Sequence, residues 1–137
     1  MPDIRRATPA DLSAIRTCAT AAYAPYIATI GKPPAPMVAD FAAHVAASEL
    51  WVMADAETIL GFIVFFPRGR AMFLENVAVH PEASGRGFGR QLVSFCEDTA
   101  RNIGCDSVVL YTNEKMTANL SLYPRLGYRE TGRRTEV

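Results

Sequence analysis

Three glycines alternate with other residues in the segment SGRGFGR, residues 84–90. The apolar run before this segment predicts a buried strand, and the amphipathic run after it predicts a helix. Glycine has no Cβ, so the main chain can turn sharply there or approach a ligand closely. The first turn of a helix also presents free N–H groups and the positive end of its dipole. Together with the side chains of Arg86 and Arg90, this pattern indicates a phosphate or pyrophosphate site.

Two other phosphate-binding patterns do not fit this glycine-rich segment. A dinucleotide fingerprint requires a third glycine three residues after Gly87, but Arg90 occupies that position. A Walker A loop requires Gly-Lys followed by Ser or Thr, which the chain lacks here. A strand-to-helix connection in which the glycines only ease the turn remains an alternative.

Length and composition predict one ordinary globular domain spanning residues 1–137. Half of the 137 residues are hydrophobic, and 14 basic residues balance 14 acidic ones, so no basic surface for nucleic acid is expected. The longest apolar runs, such as residues 59–66, are too short to span a bilayer. The N-terminal residues also lack the apolar core of a signal peptide. We therefore expect a cytoplasmic protein that binds neither nucleic acid nor membrane.

The cysteines and histidines predict no metal site. The three cysteines, Cys18, Cys96 and Cys105, are odd in number and never spaced as C-x-x-C, which is typical of reduced thiols. The two histidines, His44 and His80, are too few for a histidine cage. We expect His44 to lie on the surface of a helix.

The N-terminal third predicts one strand and two helices. A short strand is expected at residues 4–7, and Thr8, Pro9 and Asp11 then form the start signal of a helix that continues to about residue 23. Prolines and a glycine predict a loop over residues 24–36, and loops of that length tend to be functional. A second helix is expected from residue 38 to residue 48.

The remaining sequence predicts an antiparallel meander followed by alternating helices and strands. Strands are expected at residues 50–54, 59–66, 71–80, 107–112 and 128–134. Helices are expected at residues 88–103, ending at Gly104, and at 117–126. Because a helix joins the third strand of the meander to the strand at 107–112, those two should run parallel.

This order of elements resembles the GNAT superfamily of acyl-CoA-dependent N-acetyltransferases. The family's pyrophosphate loop is written [RQ]-x-x-G-x-[GA], and here Gly87 and Gly89 fill its glycine positions while Ser84 replaces the usual Arg or Gln. Residues 119–128, NLSLYPRLGY, are similar to the family's second signature, L-Y-x-x-x-G-[FY]. The resemblance covers nearly the whole chain.

The resemblance implies an α/β (α+β) fold with a mixed, mostly antiparallel sheet of about six strands and four helices. The fourth and fifth strands would be parallel and splayed apart. A seventh strand, usual in the family, is expected after the sixth, but the sequence ends at Val137. The resemblance therefore implies either a truncated chain or a partner that supplies the strand, and by analogy a homodimer.

The resemblance also implies that the chain binds acetyl-CoA. Backbone groups of the strand before the glycine turn would pair with the pantetheine arm, and the turn would hold the pyrophosphate. The implied cofactor-binding residues are Val77, Ala78, Val79, Gly85, Arg86, Gly87, Phe88, Gly89, Arg90, Asn119 and Tyr123.

Two side chains are candidates for proton transfer. Tyr123 matches the tyrosine that the family uses as a general acid toward the sulfur, and the alternative is a packed aromatic residue. Glu75 lies in an apolar strand on the same alternation as Val77 and Val79, where a partly desolvated carboxylate could act as a general base. A structural glutamate that is hydrogen-bonded to a neighbouring group is an equally supported alternative.

The acceptor would lie across the splayed strands from acetyl-CoA. Tyr23, Tyr26, Ile30 and Asn76 are its candidate contacts, whereas Trp51 and Phe62 are expected in the core. The implied activity is transfer of an acetyl group to a primary amine, by direct attack in a ternary complex, with the amine on a small molecule or a protein. The alternative is a CoA-binding regulatory module without turnover, which Ser84 and the missing last strand favour.

Overall fold

A mixed sheet organises the chain, and the computed structural model describes residues 2–31 and 35–110 of it. In these ranges the sheet has the order β1-β2-β3-β4-β5. Neighbours are antiparallel except β4 and β5, which are parallel as predicted. The strands are β1 (Asp3–Arg6), β2 (Leu50–Asp55), β3 (Thr58–Arg68), β4 (Ala71–Val79) and β5 (Ser107–Leu110).

Helices cover both faces of this sheet. They are α1 (Leu12–Tyr23), α2 (Pro25–Ile30), α3 (Phe41–Ala46) and α4 (Phe88–Asn102), with short 3₁₀ turns at Pro9–Asp11, Ala35–Val38 and Pro81–Ala83. None of the helices within residues 2–31 and 35–110 is both long and apolar enough to cross a bilayer. The predicted helix at 117–126 and strand at 128–134 lie outside the described residues, as does any strand beyond them.

The start of α1 follows from local chemistry, as predicted. The Thr8 N–H donates to Oδ2 of Asp11 over 2.8 Å, and Pro9 occupies the first position of the 3₁₀ turn that leads into the helix. Arg5 of β1 donates to both carboxylate oxygens of Asp11. The hydrogen bonds from Arg5 are the main cause that lowers the pKa of Asp11 to about 2.

The prediction of an irregular loop over residues 24–36 is wrong for its first half. Ala24 keeps helical angles, with φ −51° and ψ −40°, and Pro25 starts α2. Proline is tolerated at the first position of a helix because its missing N–H would have no partner there. Gly31, with φ +89°, ends α2.

Two apolar clusters hold the helices against the sheet. One lies between the sheet and α4 and includes Ile63, Phe65, Leu74, Leu92 and Cys96. The other lies between the sheet and helices α1 and α3 and includes Ile15, Cys18, Phe41, Phe62 and Val64. Burial raises the pKa of the Cys18 and Cys96 thiols to about 12, which keeps them protonated.

The two predicted core residues differ in burial. Phe62 is fully buried, as expected. Trp51 is only half-buried, and its ring stacks on Phe65 with 4.3 Å between ring centroids. Both side chains therefore pack on the sheet, but Trp51 covers the edge of its cluster.

A β-bulge in β4 changes which residues share a face of the sheet. Val64 of β3 is opposite Asn76, whereas Phe65 is opposite Leu74, so Glu75 is an extra residue on β4. Leu74 and Val77 both pack in the cluster under α4. Unbroken alternation would put Glu75 beside Val77 and Val79, but the bulge turns it to the opposite face, toward α3. The predicted alternation is therefore wrong at this position.

Candidate active site

The glycine turn connects β4 to α4 through two residues in the left-handed region. Gly85 has φ +78° and Gly87 has φ +80°, and α4 begins at the next residue, Phe88. The Gln91 N–H donates to the Gly87 carbonyl over 3.1 Å and closes the first turn of the helix. The N–H groups of residues 88–90 precede that bond and have no acceptor inside the helix. The turn can therefore present several N–H groups to one anion.

The three glycines have different structural roles. A Cβ on Gly85 or Gly87 would meet no atom of the described residues within 4 Å, so these positions require glycine for their positive φ. Gly89 has ordinary helical angles, and its nearest neighbour would be Cγ2 of Val79 at 3.8 Å. Within residues 2–31 and 35–110, no side chain or backbone atom fills the space beside Gly85 and Gly87, which fits a pyrophosphate bound there.

The polar side chains around the turn differ in their exposure and in the groups that they contact. Arg86 and Arg90 are both exposed, and the guanidinium of Arg86 lies 4.7 Å from the ring centre of Phe88. The Ser84 hydroxyl donates to the Pro81 carbonyl over 2.7 Å. Ser84 is thus engaged within its own turn, at the position where the family resemblance expects Arg or Gln.

The peptide groups of Val77 and Val79 point away from β3. The His80 N–H donates to the Leu60 carbonyl over 2.8 Å, which marks that pair as a hydrogen-bonded pair of the ladder. Because such pairs alternate in antiparallel strands, Ala78 also bonds to β3, whereas Val77 and Val79 do not. The peptide groups of these two valines therefore face the side of β4 on which β5 lies.

Tyr23 joins the end of α1 to β4 just past the bulge. Its hydroxyl lies 2.7 Å from Oδ1 of Asn76 and 2.9 Å from the carbonyl oxygen of Val77. Tyr23 and Asn76 are each only 4% exposed. The hydroxyl of Tyr23 is therefore committed to the strand. Tyr26 is half-buried, with its ring 6.5 Å from that of Tyr23.

His44 joins two carboxylates from different parts of the chain. Its Nε2 atom lies 2.6 Å from Oε2 of Glu75, and its Nδ1 atom lies 2.9 Å from Oε1 of Glu49. The His44 side chain is only 16% exposed, and its ring stacks on Phe66. The prediction of a surface histidine is therefore wrong. Glu75, 37% exposed, is less desolvated than the sequence suggests and is hydrogen-bonded to a neighbouring side chain.

Three candidate site residues cannot be placed. Asn119 and Tyr123 lie outside the described residues, and so does the side chain of Ile30. The described residues nevertheless bring together Glu75, Asn76 and Tyr23 at the bulge. The glycine turn follows the same strand, β4.

Comparison with known proteins agrees with this architecture. The sequence model of the acetyltransferase (GNAT) family matches residues 16–128. An uncharacterised N-acetyltransferase, YvbK of Bacillus subtilis strain 168, is 29% identical over 68 residues. That match covers 50% of this chain and 44% of YvbK, so it spans less than half of that relative's length.

Two solved structures share the fold. The PaiA N-acetyltransferase of Thermoplasma acidophilum, solved in complex with coenzyme A, superposes with a TM-score of 0.80 at 16% identity over 94% of this chain and 90% of that one. A transcriptional regulator of Bacillus halodurans C-125 superposes with a TM-score of 0.79 at 23% identity over 100% and 99% of the two chains. The family match over most of the sequence, together with this shared fold, shows that the chain belongs to the GNAT family of acetyltransferases.

Proposed function

We propose that this protein is an N-acetyltransferase that moves an acetyl group from acetyl-CoA to a primary amine. One observation carries the proposal: the open glycine turn directly follows a strand whose Val77 and Val79 peptide groups face away from β3. One ligand that combines a pyrophosphate with an extended amide-containing arm can use both features. Family membership supports the same class of reaction.

The turn residues fit the pyrophosphate of acetyl-CoA. When bound, acetyl-CoA supplies the acetyl group as a thioester. We assign pyrophosphate binding to the N–H groups of Phe88, Gly89 and Arg90 and to the turn around Gly85 and Gly87. The exposed guanidinium groups of Arg86 and Arg90 can add charge-assisted hydrogen bonds.

We assign the pantetheine contacts to the end of β4. The Val77 carbonyl already accepts a hydrogen bond from Tyr23, so we assign strand-like pairing to the Val77 N–H and to the peptide groups of Val79. Ala78 would contribute through the strand that it extends, because its own peptide groups bond to β3. We place Asn119 and Tyr123 beside the same arm on the family motif alone.

The proposed reaction needs an amine without its extra proton and a proton for the departing sulfur. We assign the first task to Glu75, whose carboxylate lies at the bulge two residues before Val77. We assign the second to Tyr123, because a phenol stays protonated at neutral pH. Direct attack of the amine on the thioester in a ternary complex requires no covalent enzyme intermediate.

We propose that the acceptor approaches β4 from the side of α1 and α2. Tyr23, Tyr26 and Ile30 would form the wall of its site, and Asn76 would help to orient the acceptor by holding the Tyr23 hydroxyl in place. The acceptor that we propose is a primary amine on a small molecule or on a protein. A cytoplasmic homodimer is the setting that we propose for this activity.

A second candidate is a CoA-binding regulatory module without turnover. The Ser84 hydroxyl is directed into its own turn, where the family pattern has a longer polar side chain that could reach a ligand. One protein that shares the fold is named a transcriptional regulator. The two candidates make the same prediction for CoA binding and opposite predictions for turnover.

The experiment that separates them measures thiol release from acetyl-CoA with a panel of small primary amines and peptides, alongside calorimetry with CoA. Thiol release that depends on an amine supports the enzyme, and Tyr123→Phe should then lower turnover while CoA affinity is retained. CoA binding with no thiol release across the panel supports the regulatory module. If calorimetry detects no heat with CoA or acetyl-CoA, both candidates are wrong.

A further inference from the structure

We propose that Glu75, His44 and Glu49 act as one proton-accepting unit for the acceptor amine, with His44 and Glu49 as positioning residues behind Glu75. This inference rests on the proposed function. It differs from that function in assigning the base to three side chains instead of one carboxylate.

The geometry of the unit brings three separate elements together. Glu75 is the bulge residue of β4, His44 lies on α3, and Glu49 lies between α3 and β2. The imidazole lies between the two carboxylates, with Nε2 2.6 Å from Glu75 and Nδ1 2.9 Å from Glu49. Because the bulge turns Glu75 toward α3, these contacts depend on the register shift in the sheet.

The hydrogen-bond count of the unit shows why it can take up a proton. A neutral imidazole has one N–H donor and one bare nitrogen, whereas an ionised carboxylate only accepts. With both glutamates ionised and His44 neutral, one ring nitrogen would therefore face a carboxylate oxygen with no proton between them. One added proton makes both contacts hydrogen bonds, at either Nε2 or Nδ1.

The other charged side chains close to the unit either contact other groups or are exposed. Asp11, on the turn that packs against α3, is bound by Arg5, and the Asp40 side chain accepts from the Ala43 N–H. Arg68 contacts the ring of Phe66, on which His44 also stacks, and Arg16 of α1 is exposed. Within the part of the chain that the structure describes, the ion pairs of His44 are with Glu49 and Glu75.

The proton step balances within this unit. The acceptor ammonium gives one proton to the Glu75 carboxylate, so that an N–H bond breaks, an O–H bond forms and the nitrogen lone pair is freed. The proton passes to Nε2 of His44 while Nδ1–H donates to Glu49. Glu49, 29% exposed, then provides the way to solvent.

Coupling to imidazole has a functional consequence. A carboxylate alone is a weak base at neutral pH, whereas an imidazole titrates near neutrality. The unit therefore connects the exposed carboxylate of Glu75 to an imidazole, the side chain most often used in general acid–base catalysis. Glu49 would keep the ring oriented, as carboxylates behind catalytic histidines do.

The first test needs no turnover. The full chain is labelled with ¹⁵N at histidine and its ring resonances are recorded by NMR, and His80 is the internal control because the chain has 2 histidines. We expect Glu49→Gln and Glu75→Gln to change the ¹⁵N chemical shifts of the His44 ring, because each variant removes a carboxylate that contacts one ring nitrogen, and to leave those of His80 unchanged. If the His44 resonances are the same in both variants as in the wild type, the unit does not exist and the proposal is overturned.

The second test measures kcat and the pH–rate profile. Glu57, an exposed residue in the β2–β3 turn, provides the matched control Glu57→Gln. We expect His44→Gln to lower kcat by about 100-fold, within the range of general-base catalysis, with little change in KM for acetyl-CoA. Glu49→Gln should lower kcat less and shift the rising limb of the profile, whereas Glu57→Gln should match the wild type.

The outcomes separate this proposal from the proposed function. If the wild type turns over and both His44→Gln and Glu49→Gln keep its rate and pH profile, only the proton unit is wrong. If the wild type acetylates no amine, the proposed function fails and the unit fails with it. Glu49→Gln guards against a folding defect in His44→Gln, because it preserves the shape of the side chain.

Discussion

The hydroxyl of Tyr23 lies 2.9 Å from the carbonyl oxygen of Val77, across 54 residues of sequence. It also lies 2.7 Å from Oδ1 of Asn76, and both partners follow the bulge in β4. Because all three groups are buried, water cannot readily take the place of the Tyr23 hydroxyl as their hydrogen-bond partner, so losing the hydroxyl would cost stability. This contact thus couples the C-terminal end of α1 to the strand segment that we assign to cofactor binding.

Removing that hydroxyl should destabilise the fold. In Tyr23→Phe the ring can still pack, but the buried oxygens of Asn76 and Val77 lose the single O–H donor that they share. We expect a loss of about 1–2 kcal/mol in the free energy of unfolding, measured by urea denaturation. Tyr26→Phe is the matched control, because Tyr26 is half-buried and we expect a change below about 0.5 kcal/mol. Equal losses in the two variants would contradict the assigned role of Tyr23.

The positive φ of Gly87 should be required for cofactor binding as well as for stability. In Gly87→Ala the new Cβ would meet no atom of the described residues within 4 Å, so the direct cost that these residues impose is the backbone conformation at φ +80°. That cost is about 1–2 kcal/mol if the angles are kept. If the turn relaxes instead, the N–H groups of Phe88 and Gly89 are misdirected. We expect CoA affinity to fall by about tenfold, measured by calorimetry.

Gly69 offers the matched control for this substitution. It lies in the β3–β4 turn with φ +63°, and a Cβ there would likewise meet nothing within 4 Å in the part of the chain that the structure describes. Gly69→Ala should therefore cost similar stability while leaving CoA affinity unchanged. A comparable loss of CoA affinity in both variants would mean that the glycine turn has no special role.

Features governed by local chemistry could be predicted from the sequence. The start signal at Thr8–Asp11, the glycine-rich turn before α4 and the end of α4 near Gly104 all depend on residues a few positions apart. The parallel pairing of β4 and β5 was also predictable, because a helix must connect them. These features place the glycine turn at the end of β4.

Features set by tertiary register could not be predicted in the same way. The bulge at Glu75 appears only when β3 and β4 are paired, since one strand alone keeps an unbroken alternation. The contacts of His44 with Glu49 and Glu75 depend on that bulge and on the packing of α3. A pattern of alternating apolar residues contains no information about either, so the sequence suggested a surface histidine.

Gly61 should be required because β4 approaches it closely. A Cβ at this position would lie 2.7 Å from the carbonyl oxygen of Ala78, which the backbone pairing holds in place. Gly61→Ala should therefore lower the free energy of unfolding by about 1–3 kcal/mol. Gly89→Ala is the contrasting variant, because its Cβ would be 3.8 Å from Val79 and alanine favours a helix. In thermal unfolding, the melting temperature should fall for Gly61→Ala and rise for Gly89→Ala. A Gly61→Ala protein as stable as the wild type would contradict the close approach.

The Arg5–Asp11 pair should give the fold a specific sensitivity to acid. Hydrogen bonds from Arg5 lower the pKa of Asp11 from 3.8 to about 2 in the folded chain. A depressed pKa means that the folded state favours the ionised Asp11 carboxylate. The contribution of this carboxylate to the free energy of unfolding is therefore complete above pH 3.8 and is lost as the pH falls through about 2. Urea unfolding of the wild type and of Asp11→Asn should therefore differ most near neutral pH. That difference should shrink below pH 3.8, and a difference that persists unchanged at the acid end would contradict the assigned pair.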